Sequence, residues 1–304
     1  MRKWKLALIS LAMGVLVAGC QEESQQTVAN EQYVVVDDRQ KEVTFASVPE
    51  TIVSLQPSNT EILFALGVGD RIIGATAYDT YPEQALEIER ISDIITVDLE
   101  RVVQLEPDVV IAYDTLDEAQ IAQLETLGLN VFLIESATTL EAVYSDITQL
   151  AQVMQVEDKG AAIVSAIQAQ IAGVQEEIAP YQNSRAVYYE VSPAPDIWTA
   201  GSETFQQELL SAAGINNLFA DQTDWFQVSE EEVITRNPAV IMTTANYLDD
   251  PIGELKTRNG WESVTAIQTG ALHLVDDDLF SRPATRVGDA VEAAAKMVYP
   301  EAFN

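Results

Sequence analysis

The sequence predicts an α/β fold of two lobes, each built on a mainly parallel sheet, joined by one long bridging helix with a cleft between the lobes. Three observations carry this. Short apolar runs at 52–55, 72–75, 109–112 and 131–134 are bounded by polar residues or proline, and helical stretches at 58–66 and 116–127 lie between them. Such alternation is the pattern of βαβ units. From 140 to 179 no strand signal occurs; the segment is rich in Ala, Gln and Glu, and Ile163, Ile167, Ile171, Val174 and Ile178 recur three or four residues apart. That spacing makes one apolar stripe on a helix, which Pro180 stops. A second alternating series then follows at 186–191, 197–199, 240–243 and 272–275. A chain of 304 residues accommodates two domains of ordinary size.

Taken in order, the chain opens with Arg2, Lys3 and Lys5, and an apolar run follows over 6–17. The run is too short to span a bilayer, and its flanks fit an export signal. Leu16-Val17-Ala18-Gly19-Cys20 resembles the bacterial lipobox, which implies a lipoprotein signal peptide over 1–19 and a lipid-bearing Cys20, the chain's single cysteine. Residues 20–32 are polar and aperiodic, a flexible tether to the outer face of a cell membrane. The N-terminal lobe is expected over 33–150, beginning with an edge strand that enters a turn at 33–39. The bridging helix is expected over 151–180 and the C-terminal lobe over 181–304. A continuous helix between the halves is a stiff strut that holds a cleft nearly fixed.

Charge narrows the function. Sixteen Lys and Arg face 48 Asp and Glu, a net charge of −32, so the chain lacks the basic face that nucleic-acid binding needs. This acidity suits solubility in high salt or at high pH. One cysteine and one histidine exclude a disulfide scaffold and any zinc site built from several Cys or His. No P-loop, GxSxG elbow, GxGxxG turn or zinc-ligand spacing is present, and a lone His273 supplies no catalytic triad, so an extracellular α/β hydrolase-like enzyme is the disfavoured reading. No cofactor or metal is expected; Asp276-Asp277-Asp278 reads as a solvated turn rather than a calcium loop. Ser58-x-x-Glu61 and Ser229-x-x-Glu232 both have capping-box spacing.

The order of motifs carries a family resemblance. Pro57-Ser58-Asn59-Thr60-Glu61-Ile62-Leu63-Phe64-Ala65-Leu66-Gly67, then Gly74-Ala75-Thr76, Tyr78-Asp79-Thr80-Tyr81-Pro82, Leu99-Glu100-Arg101 and Leu105-Glu106-Pro107-Asp108 resemble the first lobe of substrate-binding proteins of iron–siderophore and vitamin B12 ABC importers. Trp225-Phe226-Gln227-Val228-Ser229, Asn237-Pro238 and the stretch from Gly260-Trp261 to Val275 resemble the second lobe. The resemblance implies two Rossmann-like lobes bridged by a single helix with the ligand cleft between them, a monomer that is not an enzyme, and delivery of ligand to a permease and ATPase complex. It also implies one exposed glutamate on each lobe for permease arginines, which falls on Glu61 and Glu231. Trp225 matches a cleft tryptophan of the B12-binding members.

The expected ligand-binding residues are Tyr78 and Tyr81, after a first-lobe strand where parallel α/β folds present loops to ligands, Trp198, closing the strand at 196–199, Trp225, before the Val228-Ser229 helix start, and Phe280, Arg282 and Arg286, after the strand at 272–275. Aromatic walls suit broad, bulky ligands. With only Arg282 and Arg286 as cleft cations in a strongly acidic chain, a corrinoid is favoured over a ferric siderophore, another iron chelate or haem.

Overall fold

The computed structural model describes residues 32–93, 96–114, 116–181 and 185–303. The export signal, Cys20 and the tether up to residue 31 lie outside the described residues. A hairpin of β1 (Tyr33–Val36) and β2 (Glu42–Phe45) comes first. The expected edge strand enters its turn after Val36, and Gln40, at φ 61°, turns the chain back into a second strand. The first lobe continues through β3 (Ile52–Ser54), α1 (Pro57–Ala65), β4 (Ile72–Thr76), β5 (Arg90–Ser92), α2 (Leu99–Leu105), β6 (Val109–Tyr113), α3 (Glu118–Thr126) and β7 (Val131–Ile134). Its five strands are all parallel, in the order β5-β4-β3-β6-β7.

The expected uninterrupted helix is two helices, α4 (Leu140–Val153) and α5 (Glu157–Ile178). Gln155 sits in the left-handed region at φ 53° and breaks them apart. Helix α4 packs on α1 and β1, so it belongs with the first lobe, and α5 alone continues to the second. At the joint, a Cβ on Gly160 would come within 2.6 Å of the Ala151 Cβ, so only glycine lets the two helices approach this closely.

The second lobe comprises β8 (Ala186–Ser192), β9 (Trp198–Ala200), α6 (Phe205–Ala212), β10 (Asn216–Asn217), β11 (Trp225–Gln227), α7 (Glu230–Arg236), β12 (Val240–Thr243), α8 (Pro251–Thr257), α9 (Thr265–Thr269), β13 (Leu272–Leu274), α10 (Asp277–Ser281) and α11 (Val287–Val298). Strands β8, β12 and β13 are parallel, β10 adds to β8, and β9 and β11 extend the edge antiparallel.

Alternation along the strands separates three cores. Val53, Val110, Ala112, Val131 and Leu133 fill one face of the first sheet, and Tyr188 and Ile241 join Trp261 on one face of the second. The neighbouring residues Ile52, Val109, Ile111 and Phe132 point to the opposite face, as do Val187, Tyr189, Val240 and Met242 in the second lobe. These opposite faces merge into one core through α4, α5 and α11. The lobes are thus joined by continuous apolar packing along the bridging helix.

One buried acid on α4 gives a test of this packing. Asp146 is almost inaccessible, and burial, reinforced by the carboxylates of Asp38 and Asp114, pushes its pKa up to about 8. The folded protein therefore keeps a proton that the unfolded chain releases near pH 4, and stability falls as pH rises from there through about 8. Asp146→Asn is expected to be more stable than the parent at pH 9, by about 1–3 kcal/mol. The difference should vanish near pH 4. Urea titrations at the two pH values measure this; equal gains at both would contradict the assignment.

Candidate functional site

The C-terminal ends of the parallel strands in each lobe carry loops that meet across the gap between the sheets. From the first lobe come the β3–α1 junction and the loop after β4, which Asp79 organises: its Oδ2 accepts from the Thr76 amide at 2.8 Å, and Arg90 donates to its carbonyl at 2.9 Å. Burial raises the pKa of Asp79 despite these donors. This folding leaves Tyr78 and Tyr81 exposed on the loop.

From the second lobe comes the segment after β13, containing α10 and the start of α11. Arg282 Nη2 donates to the Tyr78 carbonyl at 3.2 Å and to Thr80 Oγ1 at 3.0 Å, and Asp278 accepts from Thr80. Arg286 donates to Glu61 Oε2 from Nε at 3.1 Å and from Nη2 at 2.9 Å, while its guanidinium lies 3.7 Å from the centre of the Tyr81 ring. The Arg286 amide and Thr285 Oγ1 both donate to Glu61 Oε1, at 3.2 and 3.1 Å. Arg282 Nη1 lies 3.9 Å from Glu61 Oε2, and it has no hydrogen-bond partner.

Glu61 therefore departs from expectation. It is 2% exposed and spans the gap, so it is not a free surface charge in this structure. Nor does Ser58 cap its helix: α1 starts at Pro57 with Gln56 as the cap residue and no side-chain cap. Proline at the first helical position moves the helix start forward of Ser58 and puts Glu61 beyond the capping position. Ser229 does cap α7, accepting from the Glu232 amide at 3.2 Å, but the Glu232 carboxylate pairs with Arg236 instead of completing the box.

Glu231, exposed in the first turn of α7, has a counterpart in the first lobe. Helices α2 and α7 each have seven residues and are capped by Asp98 and Ser229. Each ends on a left-handed residue, Glu106 or Asn237, followed by Pro107 or Pro238 and then by β6 or β12. In this internal correspondence the partner of Glu231 is the exposed Glu100. Spacing along one lobe cannot reveal it; superposing the two helix–proline–strand units does.

The expected aromatics divide. Trp198 and Trp225, each 41% exposed, lie on the same face of the β9–β11 pair, because Trp198 faces Gln227 and Trp225 sits two residues along. Trp225 is held by Nε1 donating to Gln206 Oε1 at 3.0 Å, and the Gln206 amide reaches the Phe280 carbonyl. Phe280 itself is a correction: at 1% exposure it stacks on Tyr189 in the core, because α10 turns it inward. Tyr247, 67% exposed in the loop after β12, was missed. It follows a parallel strand as Tyr78 does, so the rule that picked Tyr78 applies to it as well. His273 is half-buried on β13, and burial lowers its pKa. The three consecutive aspartates have separate duties: Asp276 caps α10, Asp277 accepts from Ser281, and Asp278 pairs with Arg282.

This arrangement coincides with a known family. The family model for periplasmic binding protein matches residues 52–279. An uncharacterized ABC transporter substrate-binding lipoprotein, YvrC, of Bacillus subtilis is 34% identical over 97% of this chain and 96% of its own length. A vitamin B12-binding protein of Vibrio campbellii is 28% identical over 82% of this chain and 90% of its own. Among solved structures, the periplasmic vitamin B12 binding protein BtuF of Vibrio cholerae aligns with TM-score 0.73 and 28% identity, covering 84% of this chain and 99% of that one. The apo periplasmic heme-binding protein RhuT from Roseiflexus aligns with TM-score 0.76 and 25% identity, over 83% and 99% of the two chains. The chain belongs to the periplasmic binding protein family, as an extracytoplasmic substrate-binding protein of the ABC-transporter class and not an enzyme.

The division of aromatics is checked by denaturation. Phe280→Ala is expected to cost about 3–5 kcal/mol, as for a buried phenylalanine, whereas Trp225→Ala and Tyr78→Ala should each cost less than about 1 kcal/mol. A Trp225→Ala loss as large as that of Phe280→Ala would place the indole in the core.

Proposed function

We propose that this chain captures a corrinoid of the vitamin B12 type between its lobes and delivers it to an ABC permease and ATPase complex. The observation that carries the ligand class is a pairing of two features at the gap. Exposed aromatic side chains are plentiful: Tyr78 and Tyr81 on the first-lobe loop there, and Trp198, Trp225 and Tyr247 on the edge strands and the β12 loop of the second lobe. The guanidinium groups at the gap, Arg282 and Arg286, are already matched by Glu61 and Asp278. A broad ligand of low charge gains apolar contact from such walls, whereas a multiply anionic chelate would meet Arg282 and Arg286 already paired with carboxylates. The vitamin B12-binding relatives support the same reading. A ferric siderophore or haem is the alternative within the family, supported by the heme-binding neighbour.

Cys20 is the acylation site that holds the monomer at the outer face of the cell membrane, a reading supported by the lipoprotein relative. The domain plan is a first lobe from residue 33, a bridging helix and a second lobe ending at 304. Permease docking uses Glu231 on the second lobe and Glu100, rather than Glu61, on the first. Support comes from their equivalent exposed positions in the first turns of α7 and α2. Charge-assisted contacts to permease arginines would favour both positions.

Two measurements test these readings. Calorimetric titration with cyanocobalamin should give saturable binding that Trp225→Ala weakens by about 2 kcal/mol, the loss typical of a buried aromatic anchor; absence of binding to the parent protein would sink the corrinoid assignment. For docking, Glu100→Gln together with Glu231→Gln should leave ligand affinity and melting temperature nearly unchanged while uptake into cells falls sharply. Normal transport in that double variant would remove both glutamates from the docking role.

A further inference from the structure

We infer that Glu61 sets the charge selectivity of the cleft: its buried carboxylate masks Arg282 and Arg286 and so excludes multiply anionic ligands. The inference rests on the reading above only in placing ligand between the lobes. Glu61 projects from the first lobe, whereas both arginines belong to the second, so the masking exists only where the lobes face one another. The carboxylate is fully used, taking two donors from the Arg286 guanidinium and two more from the Arg286 amide and Thr285 Oγ1. A cavity of about 350 Å³ opens beside it, lined by Glu61, Tyr81 and Thr285 among others. A second, of about 160 Å³, is lined by Gln56, Asp277, Asp278 and Arg282.

The masking is close to balanced. Arg282 is paired through Nη2 with Asp278, at 2.9 Å, but its buried Nη1 has no hydrogen-bond partner and only the distant Glu61 oxygen as counter-charge. An N–H-bearing group desolvated in this way can receive an anion, and at Nη1 the carboxylate of Glu61 is what holds it in check, beside the Asp278 pair at Nη2. Removing that charge, while keeping the side chain's size, leaves two guanidinium groups at the gap with Asp278 against Arg282 and Asp276 near Arg286. The cleft then changes from one that repels anions to one that seeks them.

The test compares two iron chelates of similar size and different charge: a neutral ferric trihydroxamate and a trianionic ferric tris-catecholate. Their affinities for the parent protein and for Glu61→Gln are measured by tryptophan fluorescence, with thermal melts alongside. Glu61→Gln is expected to bind the tris-catecholate at least about tenfold tighter than the parent, with the trihydroxamate changed by less than about twofold. An unchanged tris-catecholate affinity, or an equal gain for both chelates, would overturn the inference. Where Glu61→Gln no longer melts cooperatively, Arg286→Gln decides. A masked arginine contributes little, so its loss should leave the parent's tris-catecholate affinity within about twofold, and a tenfold weakening would show the arginine was free. The outcome is independent of cyanocobalamin: if that ligand fails to bind, the corrinoid assignment falls while the comparison of the two chelates still stands.

Discussion

The rest of the structure depends on the apolar core that α4, α5 and α11 share with the inner faces of both sheets. Ile167, Ile171, Val174 and Ile178 of α5 are buried in the same cluster as Ile52 of the first lobe and Val187 of the second. Separating or rotating the lobes would expose this surface, at roughly 25 cal/mol for each Å² returned to water. Relative lobe position is therefore held at the bridging side. The gap on the strand-end side is the place where polar side chains can meet without first having to bring the lobes together.

That constraint explains why charges can be buried there at all. An isolated carboxylate with the accessibility of Glu61 would be costly, and pairing in a low-dielectric setting recovers the cost only with good geometry and further hydrogen bonds. Preorganised lobes supply both, because the entropy of bringing Arg286 to Glu61 is absorbed in packing the bridging helix. The second lobe solves a similar problem internally. Glu190 on β8 takes both Nη atoms of Arg258, at 2.6 and 3.1 Å, with Thr243 as a further donor, and the Arg258 guanidinium covers Trp261. In each case a strongly acidic chain spends a scarce arginine inside the molecule rather than on its surface. The site is left with aromatic faces and with cations already matched.

Much of this was legible in the sequence, for a definite reason. Strands β3, β6, β7 and β12 are buried on both faces, so they read as nearly continuous apolar runs, and β8 does so apart from the buried Glu190. Strands β5 and β10 were not legible, since Arg90–Ser92 and Asn216–Asn217 are too short and polar to make a pattern. The break between α4 and α5 was hidden as well, because a left-handed Gln155 leaves no Gly or Pro to mark it. Trp198 was read within a strand and Trp225 before a helix start; Tyr78 and Tyr81 were picked from their place after a strand signal, and all four are exposed. Phe280 met the same criterion but failed, since a single helical turn decides whether such a residue faces the gap or Tyr189. Position after a strand identifies the loop; only the backbone within the loop assigns each side chain to core or cleft.

Glu61 shows why local spacing misleads at such a site. Ser58-x-x-Glu61 satisfies the capping pattern, and a helix start at the surface is a natural home for a docking charge. Pro57 overrides that reading by starting the helix early, which rotates Glu61 round to the face that meets Arg286, 225 residues away. No property of the first lobe alone reports this, because the partner that buries the carboxylate belongs to the other half of the chain. Glu100 and Glu231 are the reverse case. Each is exposed within its own lobe, and each becomes meaningful only when the two helix–proline–strand units are laid over one another. The contact across the gap is thus written in a pair of positions, one on each lobe, while the exposed pair marks where both lobes carry the same helix start.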